Sequence, residues 1–174
     1  MLRLMTEGFL VRAAKAEDAH AMASMHVASW RETYRGLMSD ELLDSPDLLP
    51  ARESLWTTVL TEERFLAYRV AVAEREGSLI GVAMAGPVQD KPWSVHLYVL
   101  YVLALHHGFG VGEALLDAVV APGETAALWV ADPNPRAQAF YRKHGFVPDG
   151  VSQTEDNVRE IRMVRSSRWH PGQT

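Results

Sequence analysis

The residues with the clearest chemical content lie in the second half of the chain. Glycines alternate at 108, 110 and 112 in His107-Gly108-Phe109-Gly110-Val111-Gly112, between an apolar run and a helical pattern that begins at Glu113. Glycine admits backbone conformations barred to other residues and lets a ligand come close to the main chain. The first N–H groups of a helix have no partner within it. A glycine turn feeding a helix start is therefore a site for phosphate or pyrophosphate built from backbone alone. The plainer reading is a turn that uses glycine only to change direction. A dinucleotide fingerprint is weaker here, because it needs G-x-G-x-x-G, and a Walker loop fails because no Lys-Ser or Lys-Thr follows the glycines.

Two titratable side chains could move protons near such a site. Tyr141 has a phenol with a reference pKa of about 10, suitable for donating a proton. It follows Asn134 by two helical turns, so one ligand can touch both. It also reads as a helix tyrosine packed on a sheet. His96 stands in an apolar strand; a histidine titrates near neutral pH and can take up a proton directly or through water. It equally suits a strand position with one backbone hydrogen bond. Trp30 and Tyr34 share a helix face with His26, as ordinary core aromatics would. Glu32 and Asp40 could attract a cation or simply face solvent, and Asp132 could position one or just open the turn before Asn134. The chain has no cysteine, which removes disulfides, thiolate metal ligands and a thiol nucleophile. His20, His106, His144 and His170 do not fall at metal-ligand spacing with carboxylates, so no metal is expected.

The elements that must position these groups follow from hydrophobic period and punctuation. Residues 9–13 read as a first strand, 18–34 as a helix closed by Gly36, and Ser39 as the N-cap of a short second helix. Pro46 and Pro50 are expected to interrupt this region before a helical piece holding Leu55, Trp56, Val59 and Leu60. Residues 65–73 and 79–88 read as strands joined by a turn, and 94–103 as a strand covered on both faces. A helix over 113–120, a strand over 126–131 and a helix from Pro135 to about His144 come next. Asn134 suits the N-cap, Pro135 the first helical position and Gly145 the stop. Strands over 146–151 and 160–165 end the pattern, while residues 1–7 and 166–174 read as loose ends. This is an α/β or α+β layer domain with a mixed sheet.

At 174 residues the chain is expected to form a single domain, 1–174, with an ordered core over about 8–165. A net charge of −5 and a pI near 5.8 argue against a general nucleic-acid binder. An anionic ligand would have to be held locally. The apolar stretch 95–105 is too short to span a bilayer, and residues 1–8 do not read as a signal peptide. The expectation is a cytoplasmic protein with neither nucleic-acid nor membrane partner.

With these elements in place the chain resembles the GNAT family of N-acetyltransferases. That family's signature, Q/R-x-x-G-x-G/A, falls between its fourth strand and third helix. Here the corresponding run is His107 to Gly112, followed by Glu113-Ala114-Leu115-Leu116 and preceded by Leu100-Tyr101-Val102. The run from Asn134 to Phe146 is similar to its second signature, and His26 to Gly36 looks like one branch of the family. The likeness covers roughly residues 9–165 in order and spacing.

The resemblance implies a mostly antiparallel mixed sheet with helices on both faces and with splayed fourth and fifth strands. It implies acetyl-coenzyme A as cosubstrate and an amine of a small molecule or peptide as acceptor. Backbone groups of Leu100, Tyr101 and Val102 would pair with the pantetheine arm like an added strand. His107, Gly108, Phe109, Gly110, Val111, Gly112 and Glu113 would cradle the pyrophosphate. Asn134 would touch the cofactor arm, Tyr141 would act as general acid, and Trp30 and Tyr34 would wall the acceptor pocket. His96 occupies a position where the family often has a glutamate base. The amine would attack directly, without an acyl-enzyme. A homodimer is common in the family. His107 and Phe109 depart from the usual Gln or Arg and the usual basic residue, which leaves phosphate binding mainly to the backbone. Those departures keep open a non-catalytic acyl-coenzyme A sensor or interaction module. An ordinary nucleotide-binding domain is a third reading.

Overall fold

The computed structural model describes residues 4–6 and 8–167. The expectations for residues 1–3, 7 and 168–174 lie outside them. A short strand β1 (Leu4–Thr6), inside the segment expected as a loose end, pairs with β2 (Phe9–Ala13). Helices α1 (Ala19–Tyr34), α2 (Asp40–Leu43) and α3 (Leu48–Thr61) follow, then β3 (Arg69–Arg75), β4 (Ser78–Pro87) and β5 (Val95–Val102). The chain continues through α4 (Val111–Val119), β6 (Ala126–Ala131), α5 (Pro135–Lys143), β7 (Phe146–Glu155) and β8 (Val158–Arg165).

Most expected elements stand, with shifts at their ends. Pro50 does not interrupt α3: it is the third helical residue, where a missing N–H removes no intrahelical bond. The strand expected from Phe65 begins at Arg69, because residues 63–65 form a 3-10 turn in which Phe65 packs edge-on to Tyr68, 5.0 Å between ring centres. β7 and β8 run longer than expected. Asp156 and Asn157, at φ 48° and 63°, make the two-residue hairpin turn that carries polar residues 152–155 into the ladder.

The sheet has eight strands in the order β1-β2-β3-β4-β5-β6-β8-β7. Its only parallel neighbours among the described residues are β5 and β6. A parallel pair cannot close through a hairpin, and α4 supplies the crossover. Strand alternation divides the core. Ala71, Ala73, Ala83 and Leu128 face α4 with Leu115, Leu116 and Val119. Val72, Val82, Met84 and Val99 face α1 and α3 with Met22, Met25 and Trp56. The small residues on the first face let α4 lie close to the sheet.

β5 and β6 are the fourth and fifth strands of the sequence count. They pair only at Val95–Ala126, His96–Ala127 and Leu97–Leu128, although they run on to Val102 and Ala131. β4 bonds Met84 to Val99 and Ala85 to Leu97, which leaves Tyr98 as an extra residue in β5. Such a bulge bends and twists its strand. Here it also exchanges faces: Val95 and Leu97 pack on the α4 side, whereas Val99 and Tyr101 pack on the α1 side. The two strands part at this bulge.

Two features of this core set measurable stability. A Cβ on Gly81 would stand 2.7 Å from Leu115 Cδ1 and 3.0 Å from the Tyr101 carbonyl, so Gly81→Ala should cost about 1–3 kcal/mol in denaturant unfolding. His26 is buried among Trp30, Trp56 and Tyr101, and neither ring nitrogen has a hydrogen-bond partner. Burial, helped by Arg52, pushes its pKa down from 6.5 to about 3. The unfolded chain therefore binds a proton that the folded chain refuses, and stability should fall as pH drops from 6.5 toward 3, by at most about 1.4 kcal/mol per pH unit. His26→Leu should flatten that slope in urea midpoints measured at pH 4.5 and 7 (roughly the window ends accessible without acid unfolding).

Candidate active site

The gap between β5 and β6 opens into a cleft of about 640 Å³. Its walls include Leu100, Tyr101 and Val102 from β5, His107, Gly108, Gly110, Gly112 and Glu113 from the glycine turn and α4, and Asn134 and Tyr141 from the α5 segment. Tyr34 of α1 closes one side. The fold thus brings most of the residues expected at a site to one cleft. Four of them are not walls. Phe109 is exposed, Val111 is buried in the core under α4, Trp30 lies behind Tyr34, and His96 lies at the root of the gap.

The glycine turn leaves backbone donors without partners. Gly108 and Gly110 take φ of 84° and 80°, where a side chain is strained. Gly110 is the N-cap of α4, and no side chain caps the helix. The first helical bond of the turn is Ala114 N–H to Gly110 O at 3.0 Å, so the N–H groups of Val111, Gly112 and Glu113 lack helical partners. Gly112 permits the ring of Phe140 to pack against α4, since a Cβ there would be 3.3 Å from it. His107 does not merely face solvent: its Nε2–H donates to the Val102 carbonyl at 2.6 Å and ties the turn to the end of β5. Glu32 accepts from the Ala104 N–H at 2.9 Å, fastening α1 to the same loop.

Two cations in the cleft escaped the sequence reading. Arg136 and Lys143 line it together with Phe140. Their i, i+4, i+7 spacing on α5 is the signal that could have found them. Lys143 lies 3.5 Å from Glu113.

Beyond the bulge, the edge of β5 turned toward β6 has no strand partner. Opposite it, the Asn134 side chain accepts from the Ala137 N–H at 3.1 Å, and Gln138 donates to the Asp132 carbonyl at 2.7 Å. These bonds fix the start of α5 and with it Tyr141, which is buried and packs edge-on to Phe146 with ring centres 5.7 Å apart. Burial, then the nearby Tyr101, raise the pKa of Tyr141 well above the usual phenol range. Burial and Tyr101 do the same to Tyr34. With Tyr98 and Tyr101, whose pKa values burial also raises, four neutral phenols line the cleft at physiological pH.

On the α1 side, Tyr98 and Trp129 are walls of the cleft. His96 touches Tyr98, 4.7 Å between ring centres, and its pKa is lowered by burial and by Arg162. Tyr68 stacks on Tyr98 at 5.8 Å, over a patch of backbone that only Gly86 leaves clear. Arg162 bonds Asp149 at 2.7 Å and lies over Trp93 and Trp129, at 4.9 and 5.7 Å. Glu160 stands opposite Ala131 and accepts from Gln153 Nε2 at 2.8 Å. Among the described residues no three His, Asp or Glu side chains converge to hold a metal, and no helix is long and apolar enough to cross a membrane.

Comparison with known proteins agrees with this architecture. The sequence is 31% identical over 148 residues to a probable N-acetyltransferase of Mycobacterium tuberculosis, covering 83% of each chain. It is 28% identical over 160 residues to the uncharacterized N-acetyltransferase YuaI of Bacillus subtilis, covering 88% of this chain and 87% of that protein. The fold superposes on the PaiA N-acetyltransferase of Thermoplasma acidophilum, solved in complex with coenzyme A, with a TM-score of 0.68 at 21% identity over 91% of this chain and 98% of that one. Residues 20–146 match the acetyltransferase (GNAT) family model. With that match spanning most of its length, the chain belongs to the GNAT family of acetyltransferases.

Proposed function

We propose that this acetyltransferase moves the acetyl group of acetyl-coenzyme A directly to a primary amine of a small molecule or peptide. One observation carries the reading. The unpaired edge of β5 runs through the cleft between the uncapped start of α4 and the phenol of Tyr141. An extended amide-bearing arm can bond to that edge as a strand would. The N–H groups of residues 111–113 suit a pyrophosphate, and Arg136 and Lys143 add positive charge. Coenzyme A is the ligand of the Thermoplasma relative, which supports the same occupant here.

Bound acetyl-coenzyme A supplies a thioester carbon for the amine to attack. Tyr141 keeps its proton until a stronger base is present, because burial raises its pKa. The departing thiolate is such a base, and the Tyr141 hydroxyl delivers its proton there. His96 lies where β5 and β6 are still paired, at the closed root of the gap, and its ring supports Tyr98.

Tyr141→Phe should lower kcat by about 10²–10³-fold while the calorimetric Kd for acetyl-coenzyme A stays within about twofold. Wild-type turnover, followed as thiol release, would remove Tyr141 from the chemistry. Binding of acetyl-coenzyme A by the wild type without thiol release across an amine panel would instead indicate a sensor. Replacing both Arg136 and Lys143 with alanine should weaken coenzyme A binding by about 3–10-fold at low salt and by less at high salt. Wild-type affinity in that variant at low salt would leave the phosphates to the backbone alone.

A further inference from the structure

The amine's own binding groups can be sought on the α1 side of the cleft, where the two splayed strands each present an aromatic ring. Tyr98, the bulged residue of β5, is 45% exposed. Trp129 of β6 is half-buried. Both are walls of the cleft. Each is held from behind: Tyr98 by Tyr68 and His96, Trp129 by the Arg162 guanidinium. Rings fixed in this way offer a large apolar contact at little further cost in side-chain entropy. Arg162, which packs on these rings, is engaged by Asp149 and by two indoles, so it leaves an incoming ammonium little to oppose.

A half-buried carboxylate, Glu160, stands beside this surface without being one of the cleft walls. Glu160 pairs with Ala131, and Arg162 pairs with Trp129, so Glu160 shares a face with Trp129 and lies about 7 Å farther along the strands. A short alkyl link bridges that distance. Gln153 of β7 fixes Glu160 Oε2, and Oε1 takes no hydrogen bond from the described residues. From α1 and β5 the neutral phenols of Tyr34 and Tyr101 lie within its field. Asp132, at the end of β6, is already paired with Arg159 at 2.9 Å.

We infer that the acceptor is a primary amine bearing a planar apolar group, which lies against Tyr98 and Trp129 while Glu160 receives the ammonium and takes its proton. This rests on the acetyl-transfer reading above. The proton balance closes. The ammonium gives one proton to the Glu160 carboxylate, and the freed nitrogen forms its bond to the acetyl carbon as the carbon–sulfur bond breaks. Tyr141 protonates the sulfur and recovers the nitrogen's second proton, and Glu160 releases its own to solvent.

The test compares 2-phenylethylamine, n-propylamine and spermidine as acceptors for the wild type, Tyr98→Ala, Glu160→Gln and Glu160→Asp. It adds calorimetry of 2-phenylethylamine binding to the protein with coenzyme A. The wild type should favour 2-phenylethylamine over both others by about tenfold or more in kcat/KM, and Tyr98→Ala should erase most of that preference. Glu160→Gln should lower kcat/KM by about 100-fold at pH 7 and weaken amine binding. That deficit should shrink above the amine's own pKa, where no proton need be taken, and Glu160→Asp should restore part of the neutral-pH rate. A wild-type preference for spermidine or n-propylamine, or a Glu160→Gln rate equal to wild type or depressed equally at every pH, overturns the inference and leaves acetyl transfer standing. A wild type that neither binds coenzyme A nor acetylates any amine overturns both.

Discussion

The site depends on β5 staying bonded to β4 while it lets go of β6. Three paired residues hold the two strands together, and from Tyr98 onward they diverge. An open sheet edge inside a protein is costly, because a buried backbone group without a partner loses about 1–3 kcal/mol. The bulge localises that cost to a single stretch. It turns the strand at one residue and keeps the β4 ladder intact on either side, from Gly81–Val102 to Pro87–Val95. The result is a stretch of main chain whose hydrogen-bonding groups face a cleft, ready for a ligand that can behave as a strand.

Everything that surrounds the gap is braced from outside it. His107 and Glu32 anchor the glycine turn, one to β5 and one to α1. Gln138 and Asn134 anchor the start of α5. Gly81 and Gly112 let α4 come close to β4 and to Phe140. These contacts use short polar bonds and missing side chains, so the walls gain definition without filling the cleft. The same logic explains the raised pKa of Tyr141. The burial that fixes its ring also disfavours the phenolate, and the acid role proposed for it would benefit from both.

Local signals made much of this legible in the sequence. Asn134-Pro135 fixed the start of α5, because an N-cap and a first-turn proline act within four residues. The alternating glycines announced an uncapped helix start for the same reason. What escaped depended on pairing between distant segments. The polar residues of β7 up to Glu155 carry no strand pattern and are held by β8. The bulge at Tyr98 is a register shift against β4, invisible in β5 alone. Strict alternation along residues 95–103 would put Val95 and Val99 on one face, and the bulge puts them on opposite faces. The bond from His107 to the Val102 carbonyl was equally hidden, because it is set by the path of the loop, not by spacing.

The departures from the usual family signature acquire a physical meaning when the two ends of the cleft are weighed together. Phe109 is exposed and uncharged, and His107 spends its Nε2 donor on the Val102 carbonyl rather than on the glycine turn. The cleft is not left without cations, because Arg136 and Lys143 approach from α5 on the opposite side. Charge has moved from the turn to the facing helix while the backbone donors stay in place. At the other end the acidic composition of the chain becomes local as well. Arg162 is neutralised by Asp149, and Glu160 keeps a free oxygen beside two neutral phenols. An anion is therefore favoured near α4 and a cation near β8, and the partly open sheet between them is where their groups can meet.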